Sequence, residues 1–163
     1  MRILLSLLIF VSPMLYANCN SPEFDQFDFW LGQWQVTANG KIAGTNQIKQ
    51  DLNNCVLHEH YQTPSGYEGR SLNIYDANQQ RWHQTWVDNQ GLLLQLDGRW
   101  NGQQMQLDGY TLTNNGEKHL HRISWTPNMD GSVRQHWQVS KDAGKTWSSL
   151  FDGHYQKRQP DQQ

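Results

Sequence analysis

The chain has 163 residues, of which 36% are hydrophobic, 12% aromatic and 17% charged. Its eight tryptophans and formal net charge of −2 argue against a disordered chain, because disorder depletes aromatic residues and raises net charge. The balanced charge, without a basic stripe, argues against nucleic acid or an anionic membrane surface as a partner.

The first segment, residues 1–17, has the pattern of a secretory signal peptide. Arg2 is followed by residues 3–11, which are almost wholly apolar, and the small residue Ala17 ends the segment at a suitable cleavage position. About nine apolar residues are too few to cross a ~30 Å hydrocarbon layer. We therefore expect a secreted or periplasmic protein without stable membrane insertion, whose residues 18–163 form a single domain.

The two cysteines, Cys19 and Cys55, lie outside that segment. They are too far apart in sequence to form a C-x-x-C motif, which disfavours a redox or metal role. In an oxidising compartment an isolated pair most often forms one disulfide. We expect this bridge to join the N-terminal arm to the strand that follows Cys55.

Residues 22–29 are predicted to form a short helix, because Ser21 is a suitable cap and Pro22 occupies the first helical position. The rest of the chain alternates with a period of two between dense turn signals. About ten strands are predicted, at 29–38, 41–50, 55–63, 67–75, 81–87, 92–100, 104–113, 118–126, 133–140 and 148–158. Successive strands joined by short turns are antiparallel, and ten exceed what a small open sheet holds. We predict an all-β up-and-down barrel, with the helix as a plug over one mouth.

Residues 27–36, FDFWLGQWQV, resemble the opening signature of a family of uncharacterised secreted bacterial proteins. The likeness continues through G-x-S-x-N-x-Y-D at 69–76, W-x-Q-x-W-V-D at 82–88 and F-D-G-x-Y at 151–155. The pair Gly32-x-Trp34 also resembles the G-x-W element on the first strand of lipocalin-like (calycin) barrels. In those barrels a basic residue of the last strand packs over the tryptophan, and the matching residue here is Arg158.

A second motif, at 140–147, is similar to the Asp-box of sialidases and other β proteins. In that motif serine and aspartate side chains bond the backbone of the turn, glycine takes a positive φ, and tryptophan packs beneath the hairpin. The box is structural in those families, so we interpret it as a hairpin clasp rather than a sugar site. Its residues are Ser140, Asp142, Gly144, Thr146 and Trp147.

The faces of the strands indicate what lies inside the barrel, because alternate residues point the same way. The tryptophan-bearing faces are expected inside, which gives a lumen of aromatic and amide groups with one carboxylate. Pockets combine aromatic walls with a few polar groups, so we predict a cavity for a small hydrophobic or aromatic ligand. The alternative is a structural core in which these groups satisfy one another. The predicted ligand-binding residues are Glu59, Tyr61, Asn73, Tyr75, Trp82, Gln84, Trp86, Gln135 and Trp137.

Catalysis and metal or haem binding are two further hypotheses. A barrel isomerase or lyase would use Glu59 as a general base, with Arg122 or a lumen tyrosine stabilising an oxyanion. A metal or haem site would use the H-x-H pairs at 58–60 and 119–121, or His154, since nitrobindin-like barrels bind haem through a histidine near the C-terminal end. No hydrolase, metalloprotease or phosphate-loop motif is present. We expect no resident cofactor and, as the first hypothesis, no catalysis.

Overall fold

A computed structural model describes residues 19–158; the predicted signal peptide lies outside these residues. The described chain forms ten antiparallel strands that close into a barrel, with each strand paired to its neighbours in sequence and β1 paired to β10. The predicted all-β, ten-stranded up-and-down barrel is confirmed. The strands are β1 (Gly32–Ala38), β2 (Lys41–Asp51), β3 (Val56–Gln62), β4 (Glu68–Asp76), β5 (Arg81–Asp88), β6 (Leu93–Trp100), β7 (Met105–Leu112), β8 (Lys118–Pro127), β9 (Val133–Ser140) and β10 (Ser148–Lys157).

The segment before β1 closes one end of the barrel, but it is not helical over the whole predicted range 22–29. Its backbone hydrogen bonds run from the N–H of residue i+3 to the carbonyl of residue i, as from the Phe24 N–H to the Ser21 carbonyl. Its helical part is a single 3₁₀ turn, Asp28–Trp30. Phe27 and Trp30 are fully buried. Phe27 stacks on Trp30 and meets the Trp125 ring edge-on at the end of β8. We call this the closed end, and the opposite end the open end.

The disulfide between Cys19 and Cys55 is present, as predicted. It joins the start of the described chain to the residue before β3, at the closed end. The bridge fits a protein that folds in an oxidising compartment. Residues 19–158 include no helix that is long and apolar enough to cross a bilayer.

The G-x-W pair starts the barrel at the closed end. Gly32 has a φ of +133°, which a side chain would strain, and the buried Trp34 indole donates to the Trp30 carbonyl over 2.8 Å. The cation over the Trp34 ring is Lys157, 5.5 Å from the centroid, instead of the expected Arg158. Lys157 is the register partner of Trp34 on β10. Arg158 follows the end of that strand, and its backbone N–H donates to the Gln33 carbonyl.

Candidate functional site

A cavity of about 240 Å³ occupies the half of the barrel toward the open end. Its rim includes Leu150, which is 52% exposed, so the cavity communicates with solvent. Aromatic and aliphatic side chains form most of the wall. The lining residues are Glu59, Tyr61, Thr63, Tyr67, Gln84, Trp86, Leu94, Ile123, Gln135, Trp137, Leu150, Phe151 and Tyr155.

Six of the nine predicted ligand-binding residues line this cavity: Glu59, Tyr61, Gln84, Trp86, Gln135 and Trp137. The other three do not. Asn73 is fully buried behind the wall, where its amide bonds Ser71 and the Leu57 carbonyl. Tyr75 and Trp82 lie at the closed end, where Tyr75 packs edge-on against Phe24 and Trp82 against Phe27. Alternation identifies the inner face of a strand but gives no height along the barrel.

Glu59 lies at the polar side of the cavity, and two neutral groups donate to its carboxylate. Asn46 Nδ2 donates to Oε1 over 2.7 Å, and Ser71 Oγ donates to Oε2 over 2.5 Å. The network continues as Asn73 Nδ2 donates to Ser71 Oγ, and Gln84 Nε2 to Asn73 Oδ1, each over 2.8 Å. These links fix the carboxylate between β2 and β4, the strands on either side of its own.

Burial raises the pKa of Glu59 to about 7, and the hydrogen bonds from Ser71 and Asn46 oppose that rise. The charge of Glu59 affects its neighbours in turn. Burial first, and the nearby carboxylate second, raise the pKa of both Tyr61 and Tyr155 above the ordinary tyrosine value. Both tyrosines therefore remain neutral hydroxyls at neutral pH, while Glu59 changes protonation state near it.

Two aromatic rings of the wall lie over strand glycines. A Cβ added at Gly69 would overlap the six-membered ring of Trp86, and one added at Gly153 would overlap the Phe151 ring. Glycine at these positions allows the rings to lie flat against the sheet, and so leaves space in the lumen. The motif at 69–76 contains Gly69, but its role under the Trp86 ring is visible only in three dimensions.

Trp137 is fixed by His121, a histidine whose positioning role the strand pattern did not indicate. The Trp137 indole N–H donates to Nδ1 of the buried His121 over 3.1 Å, and His121 Nε2 lies 2.9 Å from Thr111 Oγ1. Accepting at Nδ1 requires an uncharged imidazole that donates from Nε2. Burial lowers the pKa of His121, which favours the same neutral form. The histidine thus positions one cavity ring and carries no charge at neutral pH.

The Asp-box forms the β9–β10 hairpin at the open end, apart from the cavity wall. Asp142 accepts from Ser140 Oγ, from the Thr146 N–H and from Thr146 Oγ1 at 2.6 to 2.9 Å, and the Gly144 N–H donates to Ser140 Oγ. The Trp147 indole donates to the Gly144 carbonyl, and Arg122 lies 4.6 Å from its ring centroid. These contacts stabilise the turn between β9 and β10.

The residues predicted for haem binding and for an oxyanion, His154 and Arg122, point away from the lumen. His154 is on the outer face of β10, because the inward position beside it belongs to the buried Tyr155. Arg122 pairs with Asp108 on the outside of the barrel. His154 therefore does not face the cavity.

The H-x-H pairs do not converge on a metal site. His60 of the first pair bonds Glu68 at 2.7 Å, and His121 of the second holds Trp137. Among residues 19–158 there is no group of three or more histidine, cysteine, aspartate or glutamate side chains arranged to bind a metal.

Neither the protein-family models nor the curated proteins compared with this chain give a match.

Proposed function

We propose that the protein binds a small hydrophobic or aromatic molecule in the barrel cavity. The observation that carries this proposal is the cavity itself, with its aromatic wall and buried polar groups on one side. A barrel stabilised only by packing would fill this volume, because an empty apolar space forfeits contacts that side chains would otherwise make.

The size of the cavity limits the ligand. At about 240 Å³ the cavity is smaller than the roughly 300 to 1,000 Å³ of pockets that enclose drug-sized molecules. A molecule of one or two rings suits it. Its apolar face would pack on Trp86 or Trp137, while its polar edge would meet Gln84, Gln135 or Glu59.

Calorimetric titration with a panel of one-ring and two-ring aromatic compounds tests the proposal. We expect at least one compound to bind at a ratio of one to one. Trp86→Ala and Trp137→Ala should each weaken that binding at least tenfold, because each removes a wall of the cavity. Trp147→Ala removes a ring of the hairpin clasp and should leave affinity unchanged.

A second test uses one variant that fills the cavity and one control variant that does not. Leu94 is 1% exposed and lines the cavity, whereas its neighbour Leu93 is 56% exposed. We expect Leu94→Phe to abolish binding and Leu93→Phe to have no effect. Binding that survives Leu94→Phe, or a panel that fails with the wild-type protein, would contradict the proposal.

Location and family likeness extend the same proposal. We place the protein outside the cytoplasm, as a lipocalin-like member of the secreted family with the F-D-F-W-x-G-x-W opening. The disulfide supports the compartment, and the closed ten-stranded barrel supports the lipocalin-like fold. Expression in a bacterial host, followed by N-terminal sequencing of the periplasmic product, should find a start at residue 18.

One observation favours a second function, that of an isomerase or lyase. Glu59 lines the cavity and its pKa is raised to about 7, the range in which a general base works at neutral pH. Its carboxylate would take a proton from a carbon beside a carbonyl group. Because Arg122 points outward, Tyr61 or Tyr155 would stabilise the oxyanion. Glu59→Gln should then abolish exchange of that proton with deuterated solvent while ligand binding persists.

A further inference from the structure

Glu59 is a carboxylate without a protein counter-charge. The ion pairs within the described residues join outward-facing side chains, at Glu68, Asp97, Asp108 and Asp152, and none includes Glu59. Its hydrogen-bond donors, Asn46 and Ser71, are neutral. A buried charge is costly unless an opposite charge approaches it. When Glu59 ionises, the cavity beside it is where a counter-charge can enter.

The wall of the cavity is suited to a positive charge. The described lining residues include neither lysine nor arginine, whereas six of them are aromatic: Tyr61, Tyr67, Trp86, Trp137, Phe151 and Tyr155. The faces of such rings attract cations. The Tyr67 hydroxyl also donates to the Asp88 carboxylate over 2.9 Å, which places a second negative charge next to the rim.

From these two observations we infer that the ligand is a small organic cation, with a protonated amine on an aromatic or apolar body. The ammonium group bonds the free lone pairs of the Glu59 carboxylate, and the body packs against Trp86 and Trp137. This inference rests on the proposed function, since it names the ligand class of the same cavity.

The binding should depend on pH, because the amine needs the ionised form of Glu59. The titratable groups that share the interior with Glu59 are Tyr61 on β3, Tyr67 between β3 and β4, Tyr155 on β10 and His121 on β8. The three tyrosines have a raised pKa and His121 has a lowered one, so all four groups are neutral between pH 7 and 8. Affinity for an amine should therefore rise between pH 6 and 8, following the ionisation of Glu59.

Three probes of similar shape and different charge test the inference: 2-phenylethylamine, 2-phenylethanol and phenylacetate. Calorimetry at pH 8 should show the amine binding at least tenfold more tightly than the alcohol, and phenylacetate not binding. At pH 6 the advantage of the amine should shrink. Glu59→Gln keeps a similar shape and should remove the preference for the amine, whereas the outward-facing Glu68→Gln should retain it.

The outcomes separate this inference from the proposed function. Equal affinity for amine and alcohol, each weakened by Trp86→Ala, would overturn the cation while the cavity remains a binding site. Binding of neutral panel compounds without any binding of the amine would do the same. A preference for the amine that survives Glu59→Gln would assign the cation to another site. Failure of every probe and panel compound would overturn both.

Discussion

Glu59 is a buried carboxylate whose ionised form is unfavourable for the stability of the barrel. A carboxylate in an apolar interior costs folding free energy, and only two neutral donors, Asn46 and Ser71, offset that cost. The raised pKa expresses this cost, since the folded protein binds a proton more tightly than the unfolded chain does. Above neutral pH, a glutamine at position 59 would avoid the cost of the buried charge.

The first prediction follows from the sign of that shift. The pKa of Glu59 is 4.5 in the unfolded chain and about 7 in the folded protein. Folding is therefore accompanied by uptake of a proton when the pH lies between these two values, and the free energy of unfolding falls as pH rises through this range. At ~1.4 kcal/mol per pKa unit, the loss is about 3 kcal/mol between pH 4.5 and 8. Urea denaturation should show Glu59→Gln gaining this amount relative to wild type over that range.

The same measurements contain their control. Glu68→Gln alters an outward-facing carboxylate, and its stability difference from wild type should not follow the Glu59 pattern. A difference between Glu59→Gln and wild type that is constant from pH 4.5 to 8 would show that Glu59 titrates normally, and would remove the electrostatic argument for the site.

At the level of the strands, the cavity depends on glycines opposite large rings. The Trp86 ring lies on the backbone of β4 at Gly69, and the Phe151 ring lies against Gly153 of its own strand. In β2, the carbonyl of Gln62 and the Tyr61 ring likewise occupy the place of a side chain at Gly44. Glycine beneath each ring thus lets the ring lie against the sheet and leaves space in the lumen.

A second prediction tests this arrangement. Gly69→Ala should displace the Trp86 ring from the sheet into the lumen and weaken ligand binding at least tenfold. The matched control is Gly66→Ala, in the β3–β4 turn, where an added Cβ meets nothing within 4 Å but φ is +87°. The control should lower stability by about 1 kcal/mol, the usual cost of a left-handed alanine, without changing affinity. Equal affinities in the two variants would contradict the role of Gly69.

A third prediction concerns the Asp-box. Asp142→Ala removes the acceptor for three hydrogen bonds and should lower the melting temperature while leaving ligand affinity unchanged. Hydrogen bonds from Thr146 and Ser140 lower the pKa of Asp142 to about 2. The clasp therefore stays intact between pH 4.5 and 8, where the Glu59 effect is measured. Loss of ligand binding in Asp142→Ala would show that the turn contributes to the binding site and would contradict its interpretation as a hairpin clasp.

Some of these features could be predicted from sequence and others could not. A period of two between turn signals sufficed for the barrel, because strand number and order follow from chain order in an up-and-down topology. It also gave the inward faces of Glu59, Gln84 and Trp86. Height along the barrel does not follow from alternation, and Trp82, expected in the cavity, packs at the closed end. The role of Asn46 depends on the register between β2 and β3, which no local pattern reveals.

At the scale of the whole molecule, the two ends of the barrel differ. Aromatic side chains from the N-terminal segment fill the closed end, and the Cys19–Cys55 bridge ties that segment to the barrel. The open end contains the cavity. The aromatic plug and the disulfide thus lie at one end of the barrel, and the cavity lies toward the other.

A fourth prediction addresses the closed end. Replacing both cysteines by alanine frees a loop with a sequence separation of 36 residues and should lower the free energy of unfolding by about 2 to 4 kcal/mol. Because the cavity lies at the other end, affinity for a panel compound should stay within twofold of wild type at temperatures where the variant is folded. A large loss of affinity in a folded variant would show that the two ends are coupled.

The central claim, that a ligand occupies the lumen, is tested most directly by NMR of the eight tryptophan indole N–H groups. On addition of a panel compound that binds, the resonances of Trp86 and Trp137 should move together and saturate at one equivalent. Those of Trp147, in the hairpin clasp, and Trp34, at the closed end, should stay in place. Shifts confined to Trp147, or no shift at Trp86 and Trp137 at saturating ligand, would contradict the claim.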